Sequence, residues 1–174
     1  MSTIFWYNKS MRNKDFTLYV RNFIFGAEDS LVSTVGLLSG IVSAGISQKE
    51  VIISGMVLIS VEAFSMSVGS FLSERTVEES YSNFEEKKSK SFPAAMIMFA
   101  SYLMCGLIPL FPYFIANIKQ AFWWSILASL FALFLLGFIS AKILKTNMLK
   151  NTLRMVVIGG FAIFLGVVVG IMIK

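Results

Sequence analysis

The sequence predicts an all-α polytopic membrane protein with five transmembrane helices. Three observations predict it. The 174 residues are 56% hydrophobic and only 14% charged, with a mean hydropathy of +0.76. A soluble globule cannot hide that much apolar surface. The charges are also segregated: residues 93–118, 121–141 and 155–173 contain no Asp, Glu, Lys or Arg. Lys and Arg alternate from side to side with each crossing. Lys9, Arg12, Lys14 and Arg21 precede the first span; Arg75, Lys87, Lys88 and Lys90 follow the second; Lys142, Lys145, Lys150 and Arg154 lie between the fourth and fifth. The other side has only Lys49, Lys119 and Lys174. Twelve against three puts the N-terminus in the cytoplasm and the C-terminus outside. The net charge of +5 is mostly this bias and does not point to nucleic acid.

Taken in order, residues 1–22 read as a cytoplasmic or interfacial segment. Phe5, Trp6, Tyr7, Phe16 and Tyr19 among basic residues fit an interfacial helix, and a basic tail accounts for them equally. No small-residue cleavage site follows a short apolar core, so no cleavable signal peptide is expected. Residues 23–174 read as the transmembrane domain, with spans at 23–46, 51–72, 92–116, 121–141 and 155–173. Each is long enough to cross a ~30 Å hydrocarbon core at ~1.5 Å per residue. Connections are short except for the charged cytoplasmic loop 73–91. Gly36 and Gly40 form a GxxxG in span one, extended by Ser33 and Ala44; Gly166 and Gly170 form another in span five. Five spans without an internal repeat cannot divide into inverted halves. A two-fold axis must then come from a second copy of the chain. The expectation is a homodimer packed through Gly36 and Gly40, with the pathway at its axis. The lone Cys105 excludes an internal disulfide, and the absence of His excludes imidazole metal sites.

Span two organises the chemistry. Glu62 lies near its middle, where a carboxylate costs about 2.5–3.5 kcal/mol on insertion scales. Such an acid must face protein, water, a proton or a cation. Met66, four residues on, shares its helical face and adds a thioether sulfur. Ser65, Gly69 and Ser70 keep the surroundings small and slightly polar. In span one Glu28 and Asp29 lie five to six residues inside the cytoplasmic end. Adjacent residues point about 100° apart, so only one can face the site. Asp29, shorter and deeper, is the functional candidate. Glu28 reads as a snorkelling or salt-bridging acid, with Arg21 or Arg75 as candidate cations, and stands with Ser65 as a secondary candidate. In the loop, Glu74, Glu78 and Glu79 read as a solvated extension of span two, or as an antechamber that concentrates divalent cations.

These residues carry a resemblance. Asp29-Ser30-Leu31-Val32-Ser33-Thr34 with Gly36 and Gly40 resembles the first-helix signature of the vacuolar iron transporter family. Ser65-Met66 with Gly69 and Phe71 resembles its second-helix motif, and the run Gly106 to Tyr113 its third helix. The stretch 131–137 and the glycine-rich last span resemble the fourth and fifth. The resemblance covers about residues 21–173. It implies a homodimer that moves Fe²⁺, and often Mn²⁺, out of the cytoplasm in exchange for protons, with Asp29 and Met66 lining the pathway. Plant-type members place a glutamate eight residues before the methionine; here Leu58 stands there and the acid is Glu62. The usual glycine after the aspartate is Ser30, and the long metal-binding insert is reduced to 73–91.

The expected function is thus divalent metal export coupled to protons. The metal is cargo, with no permanently bound cofactor. The expected partners are a second copy, the lipid membrane, divalent ions and protons. A different class of reading is a non-transporting membrane scaffold with its buried carboxylates as interhelical glue. No nucleophile–base pairing or cofactor motif suggests an enzyme. The brevity of the chain suggests a prokaryotic cell membrane.

Overall fold

The computed structural model describes residues 2–80 and 89–174, with side chains from Phe16 onward. Glu85, Glu86, Lys87 and Lys88 of the charged loop lie outside the described residues. So do the side chains of the aromatic and basic residues before Phe16. Among the described residues the chain is all helix: α1 Ser2–Ser43, α2 Gln48–Ser80, α3 Ser91–Leu110, α4 Pro112–Ile115, α5 Ile118–Leu144 and α6 Met148–Ile173. Five of these are long and apolar enough to cross a membrane, as expected.

Helix α2 continues eight residues past Leu72, as expected of the solvated extension that carries Glu74, Glu78 and Glu79. Two boundaries differ from the sequence reading. Helix α1 runs unbroken through residue 22, where a separate segment was expected to end. The expected third span, 92–116, is divided at Phe111. Pro112 has no N–H to give the carbonyl one turn back, so the ladder stops and resumes as the single turn α4.

The connections are made by local chemistry. Gly45 takes the left-handed conformation (φ 83°) that ends α1. Glu50 then reaches back over the start of α2: the Ser47 backbone N–H and hydroxyl both donate to Glu50 Oε2, at 3.1 and 2.6 Å, the N3-to-N-cap half of a capping box. Asn147 caps α6, its side-chain oxygen accepting from the Lys150 N–H at 3.2 Å.

Helix α1 lies at the centre, with α3 and α6 against it. Helix α2 packs mainly on α3, and α5 mainly on α6. The buried apolar residues form two clusters, one around Leu38, Ile59, Leu110 and Tyr113, the other around Leu31, Leu133 and Met155. Only 22% of the most apolar window of α2 is buried, and 11% of that of α6. The outward faces are apolar, with Val57, Val61 and Phe64 on α2 and Phe161, Phe164 and Val169 on α6 exposed. Such a surface is stable only against lipid or another protein.

The glycine motifs correct an expectation. Gly36 and Gly40 do not offer a free face to a second copy, because α6 of the same chain covers them. A Cβ on Gly40 would lie 2.9 Å from the Gly166 carbonyl oxygen, and one on Gly36 3.2 Å from that of Ala162. Reciprocally, side chains at Gly166 and Gly170 would strike the Gly36 and Gly40 carbonyls. The two GxxxG motifs are halves of one intramolecular crossing, where backbones approach because Gly36, Gly40, Gly166 and Gly170 have no Cβ to hold them apart.

Candidate functional site

Helix α2 presents two neighbouring rows of residues toward the protein. Val51, Gly55, Ile59 and Ala63, four apart, are fully buried. Beside them Leu58, Glu62, Met66, Ser70 and Glu74, also four apart, are half-buried. The i, i+4 spacing sets this row along the edge of the interface. Glu62 therefore faces protein, as does Met66 one turn toward the C-terminal end of α2.

Glu62 meets Tyr102 of α3, which is wholly buried. The Tyr102 hydroxyl donates to Glu62 Oε2. The same hydroxyl is 2.7 Å from Ser33 Oγ, and Ser30 Oγ donates to the Tyr102 carbonyl at 2.6 Å. Tyr102 thus ties α1 and α2 together through α3. Gly106, one turn along α3, makes the approach possible: a Cβ there would lie 2.6 Å from Ser30 Oγ and 2.8 Å from Ile59 Cγ1. Asp29 is half-buried beside this knot. The charge of Glu62 reaches Asp29, and both carboxylates reach Tyr102. The structure thus brings Asp29 and Glu62 into one electrostatic neighbourhood.

Glu28 diverges from Asp29, as adjacent helical positions must. The cation whose field it feels is Arg154 of α6, not Arg21 or Arg75 as expected. Those two are engaged elsewhere: Arg21 with Glu74, and Arg75 with Glu79 at 2.7 Å. Fifty-three residues apart in sequence, Arg21 and Glu74 lie at the same end of the bundle.

Met66 and Ser65 line a cleft of about 610 Å³ between α1, α2 and α3. Arg21, Asn22 and Phe25 close it from α1, Met98 from α3, and Ser70 and Glu74 from α2. Ser70 donates to the side chain of the buried Asn22 at 2.6 Å, fixing the floor between α1 and α2. Met98 adds a second sulfur to the lining.

The three loop acids do not converge. Glu74 is paired with Arg21 and Glu79 with Arg75. Glu78 accepts from the Lys90 N–H (2.7 Å), Ser89 Oγ (2.7 Å) and Ser91 Oγ (2.8 Å), so its carboxylate caps the start of α3. Among the described residues no three His, Cys, Asp or Glu side chains group closely enough to hold a metal.

The sequence reading missed Tyr102 and Met98. A usable signal existed for Tyr102: a phenol inside a charge-free span needs a partner for its hydroxyl. Met98 is one of ten methionines and carries no such mark.

Two comparisons bear on this arrangement. Vacuolar iron transporter 1 of Tulipa gesneriana is 23% identical over 203 residues, an alignment covering 82% of this chain and 82% of the tulip protein. The sequence pattern of the VIT family matches residues 20–93 and 77–171, taking in all five long apolar helices and the Asp29, Glu62 and Met66 positions. The chain is an integral membrane protein and belongs to the VIT family.

Proposed function

We propose that this protein is a divalent-metal transporter that carries Fe²⁺, with Mn²⁺ as a second cargo, out of the cytoplasm in exchange for protons. Glu62 carries the reading: a carboxylate in the middle of an apolar helix, turned toward protein and within the electric reach of Asp29. Intramembrane acids of this kind mark ion and proton paths. Family membership and the likeness to a protein named as an iron transporter support the cargo class.

Carboxylate oxygens suit Fe²⁺ and Mn²⁺, and the Met66 thioether favours iron over Mg²⁺ or Ca²⁺. One chain offers two carboxylates and one sulfur here. Two copies about a two-fold axis would offer four carboxylates and two sulfurs, and we propose that the working unit is this homodimer. Metal ligands must be deprotonated, so cation and protons take the same oxygens at different times. That competition couples the two fluxes. With the basic ends in the cytoplasm, the cleft beside Met66 opens on the cytoplasmic side.

The test is Fe²⁺ flux into proteoliposomes with an acidic lumen. Glu62→Gln and Asp29→Asn are each expected to abolish it, and wild-type flux in both overturns the assignment. One observation favours the scaffold reading: Glu62 is hydrogen-bonded across helices by Tyr102. That reading expects Glu62→Gln to keep the protein's function while weakening the dimer, and expects no metal flux from the wild type.

A further inference from the structure

We infer that Tyr102 is the positioning residue of this site: its hydroxyl holds Glu62 Oε2, leaving the other carboxylate oxygen for the cargo cation in a fixed place relative to Asp29. The inference rests on the transport reading and names a residue that the reading does not use.

The argument starts from what a glutamate in a helix can do. Its side chain has three rotatable bonds, and in a half-buried position several rotamers are open to it. A cation site needs the oxygen held near one place. An ionised carboxylate has two oxygens and about four lone-pair sites, so it can accept one hydrogen bond and still bind a cation. The Tyr102 hydroxyl takes one oxygen, Oε2. Tyr102 is itself held at both ends. Ser30 Oγ donates to its carbonyl at 2.6 Å, and Ser33 Oγ contacts its hydroxyl at 2.7 Å. Its ring is wholly buried, which confines it. Both serines lie on α1, one and four residues beyond Asp29. The chain Ser33–Tyr102–Glu62 therefore fixes the acid of α2 to the helix that carries the acid of α1. The titratable groups around it are Glu62 from α2, Asp29 from α1 and Tyr102 from α3.

Removing the hydroxyl frees Glu62 while leaving both carboxylates and the ring in place. The loss belongs to cation capture rather than to the moving step. For Tyr102→Phe the KM for Fe²⁺ in proteoliposomes is expected to rise about tenfold, the equivalent of ~1.4 kcal/mol. The maximal flux is expected to stay within about twofold, since the acids that exchange metal for protons remain. Ser33→Ala leaves the Tyr102–Glu62 bond but frees the phenol, so it is expected to raise KM by a smaller factor. In a Glu62→Gln background, equilibrium Mn²⁺ binding is already impaired, and Tyr102→Phe is expected to weaken it no further. An unchanged KM in Tyr102→Phe overturns the inference, as does a fall in flux and thermal stability together at constant KM. If Tyr102→Phe does not fold, an unchanged KM in Ser33→Ala overturns it equally. No Fe²⁺ flux by the wild type overturns the transport reading and this role with it; flux by the wild type with KM unmoved in the variants overturns this role alone.

Discussion

Met66 and Glu62 stand one turn apart on α2, yet they face different surroundings. Glu62 reaches into the Tyr102 knot, while Met66 lines the cleft toward the Arg21–Glu74 end of the bundle. On the transport reading proposed above, a cation entering by the cleft would meet the Met66 sulfur before the Glu62 carboxylate. Replacing Met66 by Leu keeps an apolar side chain of similar volume and removes only the sulfur. Competition flux assays should then show the preference for Fe²⁺ over Mn²⁺ reduced by about threefold to tenfold, a loss of roughly 1 kcal/mol. Total Mn²⁺ flux should change little. An unaltered ratio would remove Met66 from selectivity and leave it a packing residue. Glu28 and Asp29 illustrate the same point about direction. One residue of offset puts Glu28 in the field of Arg154 and Asp29 in that of Glu62.

At the scale of elements, two joints hold the helices in place. The first is the glycine crossing of α1 and α6. A side chain at Gly170 meets the Gly40 backbone, which cannot yield as a flexible side chain would. Gly170→Val should lower unfolding stability in detergent by about 2–3 kcal/mol or prevent folding. Gly160 on the same helix has open space where its Cβ would be. Gly160→Ala should leave stability unchanged or raise it by up to about 1 kcal/mol, through helix propensity. The second joint is Glu78, whose carboxylate binds the end of α2 to the start of α3. Glu78→Ala should cost about 1 kcal/mol of thermal stability, as loss of a helix cap does. The KM for Fe²⁺ should not change. A raised KM with unchanged stability would instead return Glu78 to a cation-gathering role.

At the scale of the whole molecule, the apolar outer faces and the incomplete ligand set point the same way. The outward residues of α2 and α6 require lipid or protein against them. A single chain sets Asp29 within reach of the Glu62 charge and leaves Met66 in the adjoining cleft, and among the described residues no three His, Cys, Asp or Glu side chains group closely enough to hold a metal. If the working unit is a pair, light scattering in mild detergent should give twice the 19.4 kDa mass of the chain once bound detergent is subtracted. A monomer that still transports Fe²⁺ would show that the pathway lies within one chain. The face such a pair would use is not Gly36 and Gly40, which α6 occupies.

The membrane made much of this protein legible from sequence. Lipid requires every crossing segment to satisfy its own backbone and to be apolar throughout. Helix number and approximate length are therefore local properties of each segment, readable without neighbours. So was the face shared by Glu62 and Met66, because a helix repeats every ~3.6 residues whatever surrounds it. The ends were less legible. Hydropathy sees where lipid begins, whereas α1 and α2 continue into charged sequence and Pro112 interrupts a uniformly apolar run. Lateral pairing depends on which small or polar residues meet across long separations in the chain. Tyr102 finds Glu62 forty residues away and Ser33 sixty-nine away, and Gly40 finds Gly166 on the last helix. Those meetings are set by how the helices settle against one another as a group, and only the assembled bundle decides them.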